Sequence, residues 1–115
     1  MKTIIAGGRN VTDSLILESA IKELPWQISE VVSGGAKGVD VMGEEWAEKN
    51  GIPVKVFKAD WKTYGRAAGP KRNEQMAEYA EALLAIWDGK SKGTANMIKN
   101  AEKNGLVVHV FRFEE

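Results

Sequence analysis

Five short runs rich in Ile, Val and Leu recur along this chain, and stretches with helical spacing fill the gaps between them. The runs cover residues 3–6, 30–33, 53–57, 83–87 and 106–111. After the first, Thr12 is placed as an N-cap, Leu17, Ala20, Ile21 and Leu24 share one helix face, and Pro25 ends the helix. Val39, Met42, Trp46 and Ala47 mark a second helix that closes at Asn50-Gly51. A third begins at Pro70 with Asn73, Met76, Ala77 and Ala80 inward. A fourth carries Thr94, Met97, Ile98 and Ala101 and stops at Asn104-Gly105. Strands that alternate with helices are joined by crossovers and so pair in parallel. The pattern predicts one α/β sandwich domain over residues 1–115, built on a five-stranded parallel sheet.

Sheets of this kind bind ligands beyond the C-terminal ends of their strands. Four segments of this chain converge on that edge. Gly7-Gly8-Arg9 follows the first strand. Two glycines let backbone approach a ligand closely and Arg9 suits phosphate, although a tight turn with an exposed arginine is the plainer reading. Ser33-Gly34-Gly35-Ala36-Lys37-Gly38-Val39-Asp40 follows the second strand. Its spacing is neither G-x-G-x-x-G nor that of a P-loop, so it reads as a generic phosphate cradle. Asp40 falls in the first helical turn. There it either compensates the helix dipole, which favours its ionised form, or meets a ribose hydroxyl or a reacting water.

The third segment, residues 58–68, reads as a long polar and aromatic loop. Trp61 and Tyr64 within it could stack on a base or cap the core. The fourth, residues 88–93, leads to Gly93-Thr94, where helix N–H donors and a hydroxyl suit a phosphate. The most pointed stretch opens the third helix. Gly69-Pro70 starts it and Arg72 and Asn73 fall in its first turn. Asn73 shares a face with Met76 and Ala77, so a polar amide is aimed inward and must be satisfied there. Arg72 beside free helix N–H groups suits an anion.

Sixteen basic and sixteen acidic side chains cancel, which lowers the weight of a dedicated nucleic-acid binder. A local basic cluster of Lys58, Lys62, Arg66, Lys71 and Arg72 keeps a DNA-associated role in view. With no cysteine, disulfides and thiolate metal sites are excluded, and a reducing cytoplasm is the compatible setting. No apolar run approaches the roughly 20 residues of a membrane span. The opening residues are broken by Gly7 too soon for a secretory leader. His109, the single histidine, alternates with Val107 and Phe111 on the last strand and reads as structural. No metal-ligand spacing and no nucleophile–histidine–acid triad can be assembled.

Taken together, these glycine segments, residues 59–76 with Gly69-Pro70-Lys71-Arg72-Asn73 and Met76, and Gly93-Thr94 resemble the YspA-type branch of the SLOG superfamily, frequent in bacteria and their phages. The likeness runs over nearly the whole chain. It implies a Rossmann-like three-layer sandwich with helices on both faces. It also implies a small-molecule nucleotide or nucleotide-sugar ligand, such as ADP-ribose, AMP or an NAD-related compound, at the glycine-rich edge. No cofactor or metal is required, and the resemblance is compatible with a homo-oligomer. Ligand contacts are expected from Gly7, Gly8, Arg9, Ser33, Gly34, Gly35, Lys37, Gly38, Asp40, Trp61, Tyr64, Gly69, Arg72, Asn73, Gly93 and Thr94.

The superfamily includes the lonely-guy phosphoribohydrolases, DNA-processing protein A and sensors of NAD-derived nucleotides. In the lonely-guy enzymes an Arg-Lys-x-x-Met helix start supplies an active-site arginine, a role that Arg72 inherits as a candidate. Their second motif ends Gly-Thr-x-x-Glu with a catalytic glutamate. Here Gly93-Thr94-Ala95-Asn96-Met97 puts a thioether in that place, and a thioether moves no proton. A binding module is therefore the expectation. A nucleoside-monophosphate hydrolase using Arg72 and Asp40 is the alternative.

Overall fold

The computed structural model describes residues 1–114. Along the chain run β1 (Lys2–Gly7), α1 (Ser14–Lys22), β2 (Glu30–Ser33), α2 (Val39–Lys49), β3 (Val54–Val56), α3 (Trp61–Tyr64), a 3-10 turn (Gly65–Ala67), α4 (Ala68–Tyr79), β4 (Ala82–Trp87), α5 (Lys92–Lys103) and β5 (Val107–Arg112). The strands form one parallel sheet in the order β3-β2-β1-β4-β5.

Its strands are apolar on both faces, which a parallel sheet covered by crossover helices requires. Successive side chains point to opposite sides of a strand. Ile4, Val32, Leu83 and Ala85 accordingly pack against Met76, Ala77 and Ala80 of α4 and Met97 and Ala101 of α5. Their neighbours Ile5, Val31, Leu84 and Ile86 pack against Leu17 and Ala20 of α1 and Val39 and Ala47 of α2. Two helices thus cover each face, giving the expected Rossmann-like three-layer sandwich. The chain steps outward from β1 to β2 to β3, then crosses back so that β4 lies on the other side of β1. The connections after β1 and β4 consequently leave on opposite faces. The crevice between them is where such a fold binds ligands.

Local chemistry moves several boundaries from where the sequence alone puts them. Asp13, not Thr12, caps α1, its carboxylate accepting the Leu15 N–H at 3.0 Å. Residues 58–68 are not a continuous loop. Asp60 caps α3 through a 3.1 Å bond from the Thr63 N–H, and the 3-10 turn then feeds α4 directly. Helix α4 starts at Ala68, two residues before Pro70, and the proline still sits in the first turn, where no N–H is needed. The third strand is shortened to three residues, all exposed at the sheet edge. His109, on edge strand β5, has its Nε2 3.1 Å from Glu23 Oε1, a surface contact far from the crevice. Among the described residues no helix is long and apolar enough to cross a membrane.

Candidate functional site

A cleft of about 560 Å³ opens over the C-terminal strand ends, within the range of small-molecule sites. Its floor is Ala6 and Gly7 of β1 with Met76 and Met97 from the two helices on one face of the sheet. Arg9 approaches from the loop after β1, Ala36 and Asp40 from the connection after β2, and Trp61 from α3. Gly69, Pro70, Arg72 and Asn73 line it from the start of α4. Ser91, Lys92, Gly93, Thr94 and Asn96 line it from the start of α5. Two twelve-residue helices therefore present their N-terminal ends to one cavity. Each such end concentrates unpaired N–H groups and partial positive charge.

Arg72 is held across the cleft by protein oxygens, not by a carboxylate. Its Nη1 donates to the Gly34 carbonyl at 2.7 Å and its Nε to Asn73 Oδ1 at 3.1 Å. A guanidinium carries five N–H donors, so three remain unspent. Among the described residues no carboxylate oxygen lies within 4.0 Å of an arginine or lysine nitrogen, so no carboxylate neutralises Arg72 at contact distance. Burial pulls its pKa below the usual arginine range, Asp40 opposes that shift, and Arg9 adds to it. Arg72 remains charged, as arginine does in proteins. Gly34 makes this placement feasible, because a Cβ there would stand 2.9 Å from Arg72 Nη1 and 2.8 Å from Asp40 Oδ2.

Asn73 is 6% exposed, and its inward amide is satisfied at both ends. It accepts from Arg72 and donates to Asn96 Oδ1 at 2.9 Å. Asn96 Oδ1 also accepts from Asn100 Nδ2 at 3.1 Å. Asp40, likewise 6% exposed, accepts the Ala36 N–H at 3.3 Å. Its first-turn position does not dominate its titration. Burial pushes its pKa up to about 6, and the Ala36 N–H and Arg72 only partly offset that, with Glu44 adding repulsion. Asp40 is still ionised at neutral pH, as its first-turn position suggests, but burial makes it hold its proton to a higher pH than an exposed carboxyl does.

The remaining candidates divide. Trp61 lines the cleft and is 53% exposed, so it does not cap the core. Tyr64 is exposed beyond the cleft lining, with Lys71 Nζ 4.8 Å from its ring centre. Ser33 is buried and turned away, donating to Glu44 Oε2 at 2.6 Å. Gly35 and Lys37 are exposed outside the lining. Gly8 and Gly38 serve each other, since the Gly8 carbonyl accepts the Val39 N–H at 3.2 Å. Gly38 has φ +77°, and a Cβ on it would stand 2.3 Å from the Gly8 oxygen. Gly93 lies open at the cleft edge, and buried Thr94 lines the wall with its hydroxyl 3.1 Å from Ser91 Oγ.

Ser91 and Lys92 lie in the segment 88–93 expected at this edge without being singled out there, and Asn96 lies outside every segment the sequence points to. Asn96 and Asn100 at i, i+4 with Asn73 upstream were the available signal, but polar residues on a helix look like a solvated face until the partner helix is known. Met97, standing where the lonely-guy enzymes carry glutamate, is 1% exposed and packed in the core beneath the cleft. Among the described residues no cluster of three or more His, Cys, Asp or Glu could hold a metal ion.

Comparison with known proteins agrees with this architecture. The chain is 36% identical over 84 residues to the Gene 61 protein of Mycobacterium phage D29, covering 68% of this chain and 67% of that protein. It is 40% identical over 42 residues to the SPbeta prophage-derived protein YoqJ of Bacillus subtilis (strain 168), covering 36% of this chain and 25% of that one. DNA processing protein A from Streptococcus pneumoniae superposes with a TM-score of 0.75 at 19% identity, covering 95% of this chain and 49% of that one. At that identity the likeness speaks for the fold. Residues 1–64 match the family described as YspA, cpYpsA-related SLOG. That match spans more than half of the chain, and the chain belongs to the YspA, cpYpsA-related SLOG family.

Proposed function

We propose that the cleft binds a nucleotide-derived small molecule such as ADP-ribose, AMP or an NAD-related compound. The observation that carries this reading is Arg72, half-buried with three unspent N–H donors and no contacting carboxylate, between two helix N-termini. A phosphoryl group supplies what that arrangement lacks. Arg9 and Lys92 line the same cleft and add positive charge. Asp40 offers an acceptor for a sugar hydroxyl, and the exposed Trp61 ring offers a surface for a base. Native mass spectrometry of the purified protein, followed by calorimetric titration with AMP and ADP-ribose, tests the reading. Binding of either supports it; no co-purified nucleotide and no heat with either ligand contradict it.

A second reading, slow N-glycosidic hydrolysis of a nucleoside monophosphate, rests on Asp40. A carboxyl pushed up to about 6 in a cleft is the kind of group that exchanges protons near neutral pH. Against it stands Met97 at the position of the expected glutamate. The account predicts that long incubation with AMP releases no free adenine detectable by chromatography. Rapid release that Asp40→Asn abolishes would replace the binding reading with the hydrolase.

A further inference from the structure

Asn96 lies near the start of α5 and lines the cleft beside Thr94 and Met97. Its side-chain oxygen accepts from two donors, Asn73 Nδ2 at 2.9 Å and Asn100 Nδ2 at 3.1 Å. Asn100 Nδ2 is itself anchored on the Asn96 backbone carbonyl at 3.0 Å. This pair of donors decides which way the Asn96 amide faces. Reversed, it would set its own N–H groups against both of them. Asn73 cannot reverse to accommodate it, because Asn73 Oδ1 accepts from Arg72 Nε at 3.1 Å. The hydrogen bonds therefore run in one sense from the guanidinium through Asn73 to Asn96, each polarising the next.

The end of that relay is the Asn96 N–H pair. It has no partner among the described residues, and no buried side-chain nitrogen or oxygen there is left without one, so this nitrogen is open to the outside. A donor held in fixed orientation in a cleft, wired to a guanidinium with spare N–H groups, complements a group that only accepts.

We infer that Asn96 is a specificity-determining residue that donates to a phosphoryl oxygen of the ligand alongside Arg72. The inference rests on the reading of the cleft as a nucleotide site. It adds that the cleft selects the phosphorylated form over the free nucleoside through an amide as well as an arginine. A phosphoryl oxygen accepts from both, whereas an ammonium or amino group would set N–H against N–H.

The test is calorimetric titration of AMP, inorganic phosphate and adenosine into wild type, Asn96→Asp and Asn96→Ala. Asn96→Asp keeps the shape and the twice-accepting oxygen but turns a carboxylate oxygen toward the ligand. AMP and inorganic phosphate are expected to bind Asn96→Asp about tenfold or more weakly than wild type, and Asn96→Ala by a smaller factor, with adenosine unaffected. Should Asn96→Asp fail to fold, Asn96→Ala carries the test through the same contrast between AMP and adenosine. Unchanged AMP affinity in folded variants would overturn the inference and leave the nucleotide reading standing. Equal losses for AMP and adenosine would overturn the phosphoryl assignment. A wild type that binds neither AMP nor phosphate would overturn the inference, and the nucleotide reading falls with it when ADP-ribose also gives no heat.

Discussion

Asp40 sits almost out of water at the start of α2, and burial pushes its carboxyl up to about 6 from an ordinary 3.8. A carboxyl whose folded pKa is raised binds its proton more tightly in the native state than in the unfolded chain. Its contribution is therefore most favourable below about pH 3.8 and is lost as pH rises to about 6. At neutral pH the fold carries an ionised, poorly solvated group. Asp40→Asn is predicted to stabilise the protein by about 1–3 kcal/mol at pH 8 and to flatten the stability profile between those two values. Thermal unfolding of both proteins across that range checks it; a variant less stable than wild type at pH 8 contradicts it. The position of Asp40 was legible from Gly38-Val39-Asp40 opening a helix. Its burial was not, because that depends on Arg72, 32 positions later in the sequence, folding over the same glycine turn.

Among the elements, the alternation of strands and helices was readable because the central strands β1, β2 and β4 are covered on both faces and show as short apolar runs. Residues 58–68 were not, because their short helix and 3-10 turn are held by one cap, Asp60, and by contact with α4, not by any apolar period. The glycines after β2 were legible as a turn with special backbone needs but not by role. Gly38 serves the junction between the β1 loop and α2. Its left-handed backbone and the 2.3 Å approach to the Gly8 oxygen leave no space for a methyl group. Gly38→Ala is predicted to destabilise by at least about 2 kcal/mol, through both backbone strain and the clash. Chemical denaturation gives the number, and a change under about 0.5 kcal/mol, typical of neutral surface sites, contradicts this role.

For the molecule taken entire, a formal net charge of zero conceals a local excess of positive charge around the cleft. The segments leaving the C-terminal ends of β1 to β4 carry Arg9, Lys37, Lys58, Lys62, Arg66 and Lys90 against Asp13, Asp60 and Asp88. The cleft itself is lined by Arg9, Arg72 and Lys92 against one carboxylate, Asp40, a local excess of positive charge that draws anions toward it. Affinity for AMP is predicted to fall steadily as salt rises from about 0.05 to about 0.5 M, where charges beyond a few ångströms are screened. Calorimetry at several salt concentrations checks this, and salt-independent binding contradicts it. The same cleft is where a DNA-associated role would act, and an excess of single-stranded DNA that competes with AMP would speak for that role.

The central claim is that an unpaired Arg72 holds the phosphate of a nucleotide, and calorimetric titration of AMP and ADP-ribose into wild type and Arg72→Ala tests it most directly. Wild type is expected to bind, and the variant to lose about 1.5–3 kcal/mol, the worth of a charge-assisted hydrogen bond in a partly desolvated site. Equal affinity of the two proteins for a ligand that the wild type binds would contradict it.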